Sequence, residues 1–139
     1  MKPKVGGDVR MMLVGFAGLL MATPAAALTE SDYRERFCAG MAQERVLANG
    51  TRVDCLTDEM AIEVDWTHKW AEAVGQSLSY AATTGRRPGI ILVCKVGEQA
   101  CLKHELLINE SVSHWNLPVT LWLCLRGDED LAHCKRGDF

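Results

Sequence analysis

Three carboxylates and one lysine follow one another closely in the segment from residue 50 to residue 80. Asp54, Glu63 and Asp65 stand within short apolar stretches, and Lys69 follows four residues after Asp65. Carboxylate oxygens are the ligands that hard divalent cations such as Mg²⁺ prefer. A nearby ammonium group can stabilise negative charge that develops in a transition state. These residue types therefore suit metal-assisted chemistry, provided that the fold brings them together.

Alternating apolar and charged residues predict two strands, 51–56 and 60–66, with a tight turn at Asp58-Glu59 between them. This turn sets Asp54 directly opposite Glu63 on the neighbouring strand. Cβ atoms of such opposed residues lie about 5 Å apart. The hairpin therefore predicts two carboxylates side by side.

The same pairing sets Cys55 opposite Ile62 and separates the side chains by type, because successive strand residues point to opposite faces. One face carries apolar side chains: Val53, Cys55, Ile62, Val64 and Trp66. The other carries charged ones: Arg52, Asp54, Glu63 and Asp65. Like charges opposed across a sheet are destabilising. Two explanations fit: the charged face is solvated, as one face of an antiparallel sheet often is, or a divalent cation lies between the acids.

A helix over residues 68–83 is predicted next, with Thr67 as its N-terminal cap. Its apolar stripe, expected to pack on the sheet, consists of Trp70, Val74, Leu78 and Ala81. A second stripe at helical spacing consists of Lys69, Ala73, Gln76 and Tyr80. If the first stripe packs on the sheet, the second leans toward the carboxylates.

The ordered set of Glu44, Asp54, Glu63, Gln76 and Tyr80 resembles the PD-(D/E)xK nuclease superfamily over about residues 40–95. Asp54 resembles the first acid of that motif, and Glu63-Val64-Asp65 resembles its E-x-K element. Glu44 resembles the additional acid that many members carry on a preceding helix. Gln76 and Tyr80 are similar to the Q-xxx-Y helix motif of the RecB-like branch. The resemblance implies a restriction-endonuclease-like three-layer sandwich around a central mixed sheet.

The resemblance also implies a role for each residue. Mg²⁺ or Mn²⁺ would be bound by Asp54 and Glu63, with help from Glu44. The scissile strand of a nucleic acid would be positioned by Gln76 and Tyr80. Arg86 and Arg87 are expected to hold flanking phosphates.

The chain departs from the motif at one position, where Asp65 replaces the lysine of E-x-K. Lys69, at the start of the next helix, is the nearest lysine. Lysines of this superfamily can migrate to a neighbouring element while the ammonium group reaches the same point. Lys69 is therefore the candidate to substitute for the motif lysine, and Asp65, at the motif position itself, is the other catalytic candidate, because some members use another residue type there.

The remaining pattern predicts an α/β domain with element order α-β-β-α-β-α-β and a mixed sheet. A helix is predicted over 31–48, ended by Asn49-Gly50. The apolar run 90–96 is typical of a strand buried on both faces, and a helix over 98–110 follows. Residues 118–125 are predicted to form the last strand, with a loop after it.

The first 27 residues have the pattern of a signal peptide. A positively charged start precedes the apolar run Met11 to Ala22, and alanines 25 and 27 fit a cleavage site. A 12-residue run is short for the alternative, a membrane-spanning anchor. We therefore predict export, to the periplasm or beyond, of a single domain, residues 28–139, with no membrane anchor after cleavage.

The predicted mature chain has 12 basic and 17 acidic residues. This acidic balance argues against broad electrostatic attraction to nucleic acid or anionic membrane, and it leaves room for a local basic patch.

Six cysteines lie in the predicted mature chain, and an even number in a small exported domain indicates disulfides. Local pairing favours Cys94 with Cys101 and Cys124 with Cys134, which leaves Cys38 with Cys55. Zinc is the competing interpretation, but no C-x-x-C pair occurs.

The leading hypothesis is an exported, metal-dependent nuclease that hydrolyses phosphodiester bonds of DNA or RNA. The rival is a non-catalytic binding or structural module of the cell envelope on the same fold. A third interpretation is a secreted inhibitor or toxin whose disulfides harden a small core.

Overall fold

The computed structural model describes residues 26–139. The predicted signal peptide therefore lies outside the described residues, except for its last two positions. In chain order the elements are α1 (Glu30–Phe37), β1 (Ala42–Val46), β2 (Arg52–Leu56), β3 (Met60–Trp66), a 3-10 helix (Thr67–Lys69), α2 (Trp70–Thr84), β4 (Arg87–Val93), α3 (Glu98–His114), β5 (Thr120–Cys124) and β6 (Lys135–Asp138).

The six strands form one open sheet in which their spatial order is their order along the chain. β3, β4 and β5 are parallel, and antiparallel pairs lie on either side of them. Parallel neighbours need a crossover connection, and α2 and α3 supply the two crossovers. The predicted α/β class and mixed sheet are confirmed.

Helices cover both faces of this sheet. Ile91 and Val93 belong to a buried cluster with side chains of α1, whereas Ile90 and Leu92 belong to another with side chains of α2 and α3. Successive residues of β4 point to opposite faces. α1 therefore packs on one face, and α2 and α3 pack on the other.

The predicted helix over 31–48 is wrong beyond its first two turns. α1 ends at Phe37, Gly40 adopts the left-handed conformation at φ 82°, and β1 follows. Asn49-Gly50 lies in the turn of the β1–β2 hairpin, where Gly50 has φ 81° and Leu47 N donates to Thr51 O at 2.7 Å. The dipeptide is therefore a hairpin turn, which is its other common use.

The hairpin of β2 and β3 is confirmed. Thr57 N donates to Met60 O at 2.9 Å across the turn, and Cys55 pairs with Ile62 as predicted. The described backbone pairing covers only this pair and Leu56 with Ala61. Beyond it, the Asp54 side chain takes the place of a backbone acceptor.

One residue of the hairpin lies on the opposite face from its prediction. Val53 packs with Ala61 and Tyr80, whereas Cys55 packs with Ile62 in the cluster beneath α1. The strand therefore changes face across Asp54.

The helix predicted over 68–83 is confirmed as the 3-10 turn followed by α2, but its packing face is not the one predicted. Its buried side chains are Ala73, Ser77, Tyr80 and Ala81. Trp70 and Val74 are only partly buried. The N-caps of the 3-10 turn and of α2 are Trp66 and Lys69, so Thr67 is not the predicted cap. The polar stripe with Ala73 and Tyr80 thus lies against the sheet.

The C-terminal half contains one strand more than predicted. β4 begins at Arg87 and is buried from Pro88 onward, as expected of a central strand. α3 is longer than predicted and ends at His114. β6 pairs with β5 although Lys135–Asp138 has no apolar alternation, so the tail is not the predicted loop.

The disulfides are Cys38–Cys55, Cys94–Cys101 and Cys124–Cys134, and no cysteine is free in residues 26–139. All three predicted pairings are confirmed, and they are compatible with an oxidising environment. The thiolates that zinc would need are consumed. None of the helices described is both long and apolar enough to span a membrane.

Candidate functional site

The site lies where β2 and β3 carry Asp54 and Glu63. Asp54 Oδ2 accepts a hydrogen bond from Val64 N at 2.8 Å, which draws the Asp54 side chain between the two strands. The two carboxyl groups interact with each other. Glu63 is only 5% exposed, and its Oε2 is buried without a hydrogen-bond partner in the described part of the chain. The predicted juxtaposition is therefore present, with Glu63 buried and Asp54 partly buried, so this part of the charged face is not freely solvated as the first explanation requires.

Burial changes the protonation of this pair. It raises the pKa of Glu63 from 4.5 to about 9, and the negative charge of Asp54 adds to the effect. Burial also raises the pKa of Asp54, although the hydrogen bond from Val64 opposes this shift. At neutral pH without a cation, Glu63 is therefore protonated. The pair then carries at most a single negative charge, which relieves the like-charge repulsion.

Two polar side chains of α2, Tyr80 and Gln76, lie close to the carboxyl pair. Tyr80 is buried and interacts with the Glu63 carboxyl group; burial, followed by the charge of Glu63, raises the pKa of the Tyr80 hydroxyl. Gln76 lies one helical turn earlier, and its Oε1 is buried with no hydrogen-bond partner among residues 26–139. An unpartnered buried oxygen is costly in a native structure and calls for an explanation. Glu63 and Gln76 each have one such buried oxygen without a hydrogen-bond partner.

Lys69 reaches the residue that replaces the motif lysine. Its Nζ lies 3.2 Å from Asp65 Oδ1 and 3.6 Å from Glu30 Oε2. Asp65 is 3% exposed, so the ammonium group is paired with a buried carboxylate. The hydrogen bond to Asp65 raises the pKa of Lys69, which therefore stays cationic. The structure thus brings Asp65 and Lys69 together.

Glu44 lies near this site but is not joined to it. It lies on β1, not on a helix, and its backbone φ is 53°. Its carboxylate forms ion pairs with Arg34 Nη1 at 3.0 Å and with Arg52 Nε at 2.9 Å. Its charge contributes to the raised pKa of Asp54.

Glu44 does not form a compact ligand set with Asp54 and Glu63. Within residues 26–139, one group of three potential ligands has all its ligand atoms within 4.8 Å of one another, and it consists of Cys124, Asp128 and Cys134. The two cysteines of that group are joined in a disulfide.

Arg86 and Arg87 lie away from the carboxyl pair. Arg87 pairs with Met60 at the start of β3, three residues before Glu63. Arg86 lines a separate cavity. The structure therefore does not bring either arginine to the carboxylates.

Sequence reasoning missed the contribution of α1. Glu30 lies beside Asp65 and Lys69, and burial, followed by the charge of Asp65, raises the pKa of Glu30. Arg34, one turn later, pairs with Glu44. The usable signal was the capping box of Thr29 and Asp32, which marks the true helix start and places Glu30 and Arg34 one turn apart.

The arrangement consists of a buried and a partly buried carboxyl group, Glu63 and Asp54, with a paired ammonium group and a tyrosine hydroxyl on adjacent elements. This set can bind a cation through oxygen and stabilise negative charge. No family model, curated protein or solved structure matches the chain.

Proposed function

We propose that the protein is an exported, metal-dependent nuclease that hydrolyses phosphodiester bonds, with a restriction-endonuclease-like fold. The observation that carries the proposal is the meeting of Asp54 and Glu63 with one Glu63 oxygen buried and unpartnered. A structural carboxyl pair in a core would be expected to have every oxygen satisfied. A bound cation would supply the missing partner, with Glu63 Oε2 as one of its ligands.

The residues fit Mg²⁺ or Mn²⁺ better than a softer metal. Asp54 and Glu63 offer hard oxygen donors, and both ions are bound in proteins through one or two carboxylates together with substrate phosphate. A bound ion would lower the pKa of a water and stabilise charge on the phosphate. Glu44 is engaged by two arginines, so we assign it to the surroundings of the pair, where its charge favours a cation.

Other side chains of the site would act on the substrate directly. Lys69 would place positive charge close to the phosphate and stabilise the negative charge that develops there. Tyr80 and Gln76 would orient the scissile strand through a hydroxyl and an amide. Asp65 would hold the Lys69 ammonium group in place through the 3.2 Å contact.

Export is part of the proposal. Three disulfides need an oxidising compartment to form and persist, which agrees with the predicted signal peptide over residues 1–27. The substrate would then be nucleic acid outside the cytoplasm.

One observation favours a second function, a binding module of the envelope without catalysis. Lys69 is shared between two carboxylates, and Glu44 between two arginines, so much of the site's charge is already neutralised internally. Such a module would bind its partner without cleaving it.

The test is a metal titration with and without oligonucleotide. Millimolar Mg²⁺ or Mn²⁺ should raise the melting temperature, because a ligand that binds only the folded state stabilises it by mass action. Asp54→Asn keeps an oxygen acceptor for Val64 N and should abolish the rise, while the metal-free variant melts at the same temperature or higher. Glu110→Gln, on the exposed side of α3, is the matched control and should respond as the wild type does.

Three outcomes separate the proposals. Cleavage of DNA or RNA that depends on metal and on Asp54 supports the nuclease. An unchanged melting curve with metal, both alone and with oligonucleotide, rejects it. Binding of nucleic acid without cleavage in either metal favours the envelope module.

A further inference from the structure

A second polar cavity lies at the opposite end of β3 from Lys69. Its volume is about 490 Å³, and it is formed where β1 begins, β2 ends and β4 is about to begin. The guanidinium-bearing residues Arg45 and Arg86 both line it. Asp58 is its one acidic lining residue.

These two arginines differ from most basic residues near the acidic site. Arg34 and Arg52 are paired with Glu44, but neither Arg45 nor Arg86 has a carboxylate within 4.0 Å in residues 26–139. Two cations that share a cavity repel each other unless an anion lies between them. Planar guanidinium groups match the oxygens of a phosphate in two parallel hydrogen bonds.

The helix dipole accounts for only one of them. Arg86 follows the C-terminus of α2, which Gly85 caps in the left-handed conformation, and a cation is favoured at that end of a helix. Arg45 lies on β1 and gains nothing from this dipole. Arg45 is exposed on the edge strand β1, so it is free to bind an anion in the cavity.

The cavity is linked to the acidic site through the hydrophobic packing of β2. Leu56 lines the cavity and also packs against the cluster that contains Tyr80, which in turn covers Glu63. Arg87 pairs with Met60, and Glu63 lies three residues further along β3. At about 3.3 Å per residue, Met60 and Glu63 are about 10 Å apart along the strand, and the cavity lies beyond Met60, at Thr57 and Asp58.

We propose that Arg45 and Arg86 form a phosphate-binding subsite for the backbone of the nucleic acid that the acidic site would cut. The inference rests on the proposed nuclease function. The subsite would hold a phosphate several nucleotides from the scissile bond and set the direction of the strand.

The experiment measures oligonucleotide binding in Ca²⁺, by fluorescence anisotropy, as a function of salt concentration. Arg45→Ala with Arg86→Ala should weaken binding at least about tenfold and lower the salt slope by about one, since one phosphate contact is lost. Arg86→Lys, which keeps the charge at the helix end, should also weaken binding without changing the melting temperature. Lys103→Ala with Arg136→Ala is the matched control, removing two cations elsewhere, and should leave the slope unchanged.

Oligonucleotide length adds a second readout. For strands too short to reach the cavity from the acidic site, the double variant should bind as the wild type does. Equal affinity and salt slope for wild type and double variant on long strands would overturn the subsite and leave the nuclease proposal standing. Failure of the wild type to bind any oligonucleotide would overturn both.

Discussion

The Lys69 ammonium group and the Asp65 carboxylate lie 3.2 Å apart, and they join the end of β3 to the start of α2. Asp65 is buried, whereas the Lys69 side chain is 39% exposed. The Lys69 ammonium group is therefore accessible to solvent, and the buried Asp65 carboxylate holds it in position. Under the proposed nuclease function, Lys69 would act from this position where the motif lysine would, four residues after Asp65.

Lys69→Ala should reduce metal-dependent cleavage at least about a hundredfold, because one stabiliser of transition-state charge is lost. Oligonucleotide binding in Ca²⁺ should change little, since a catalytic group acts mainly in the transition state. Lys69→Arg keeps the ion pair with Asp65 and separates loss of charge from loss of structure. Lys103→Ala, on exposed α3, is the control. Undiminished cleavage by Lys69→Ala would exclude the lysine from catalysis.

Glu63 should make stability fall as pH rises. Its pKa is raised from 4.5 to about 9, so between these values the folded state binds about one proton more than the unfolded chain. The free energy of unfolding should then decrease by up to ~1.4 kcal/mol per pH unit. The raised pKa of Asp54 acts in the same direction.

Glu63→Gln removes this titration and should be more stable than the wild type at pH 8, with a flatter profile from pH 5 to pH 8.5. Urea unfolding at several pH values measures it, with Glu110→Gln as the control. Parallel profiles for the wild type and Glu63→Gln would show that Glu63 is ionised in the fold.

Tyr80→Phe should lower the free energy of unfolding by about 1 kcal/mol, the typical net value of one buried hydrogen bond. The loss follows because the hydroxyl interacts with a buried carboxyl group. Tyr33→Phe is the matched control, since the Tyr33 hydroxyl makes only a 3.5 Å contact with Arg126 O. Equal losses in the two variants would mean that the Tyr80 hydroxyl has no special partner.

The native protein should contain no free thiols, because all six cysteines are paired. Titration with a thiol reagent before and after denaturation, without reductant, checks this. Reduction should restore six reactive thiols. Two or more thiols that react in the native protein would contradict the disulfide framework and reopen the zinc interpretation.

The elements with strong local patterns were predictable from the sequence. The β2–β3 hairpin follows from alternation around a tight turn, and β4 from a continuous apolar run in a buried position. The adjacency of Asp54 and Glu63 follows from the hairpin pairing. Local pattern was sufficient because each of these features depends on residues close in the chain.

Features that depend on distant partners were not predictable. β6 exists because β5 offers an open edge, and nothing in Lys135–Asp138 indicates a strand. α2 buries Ala73 against Ile90 and Leu92, and Tyr80 against Val53 and Ala61, so its orientation is set by residues of other strands and not by its own apolar stripe. Glu30 belongs to the site because α1 packs across β3, and that packing cannot be read from the local sequence around Glu30.

The order of the disulfides has a consequence for how the chain matures. The cysteines pair first with second, third with fourth and fifth with sixth along the sequence, with separations of 17, 7 and 10 residues. A chain that enters an oxidising compartment N-terminus first therefore exposes every correct partner before any incorrect one from a later pair. Sequential oxidation alone then leads to one of the 15 possible connectivities, so maturation should not depend on a disulfide isomerase.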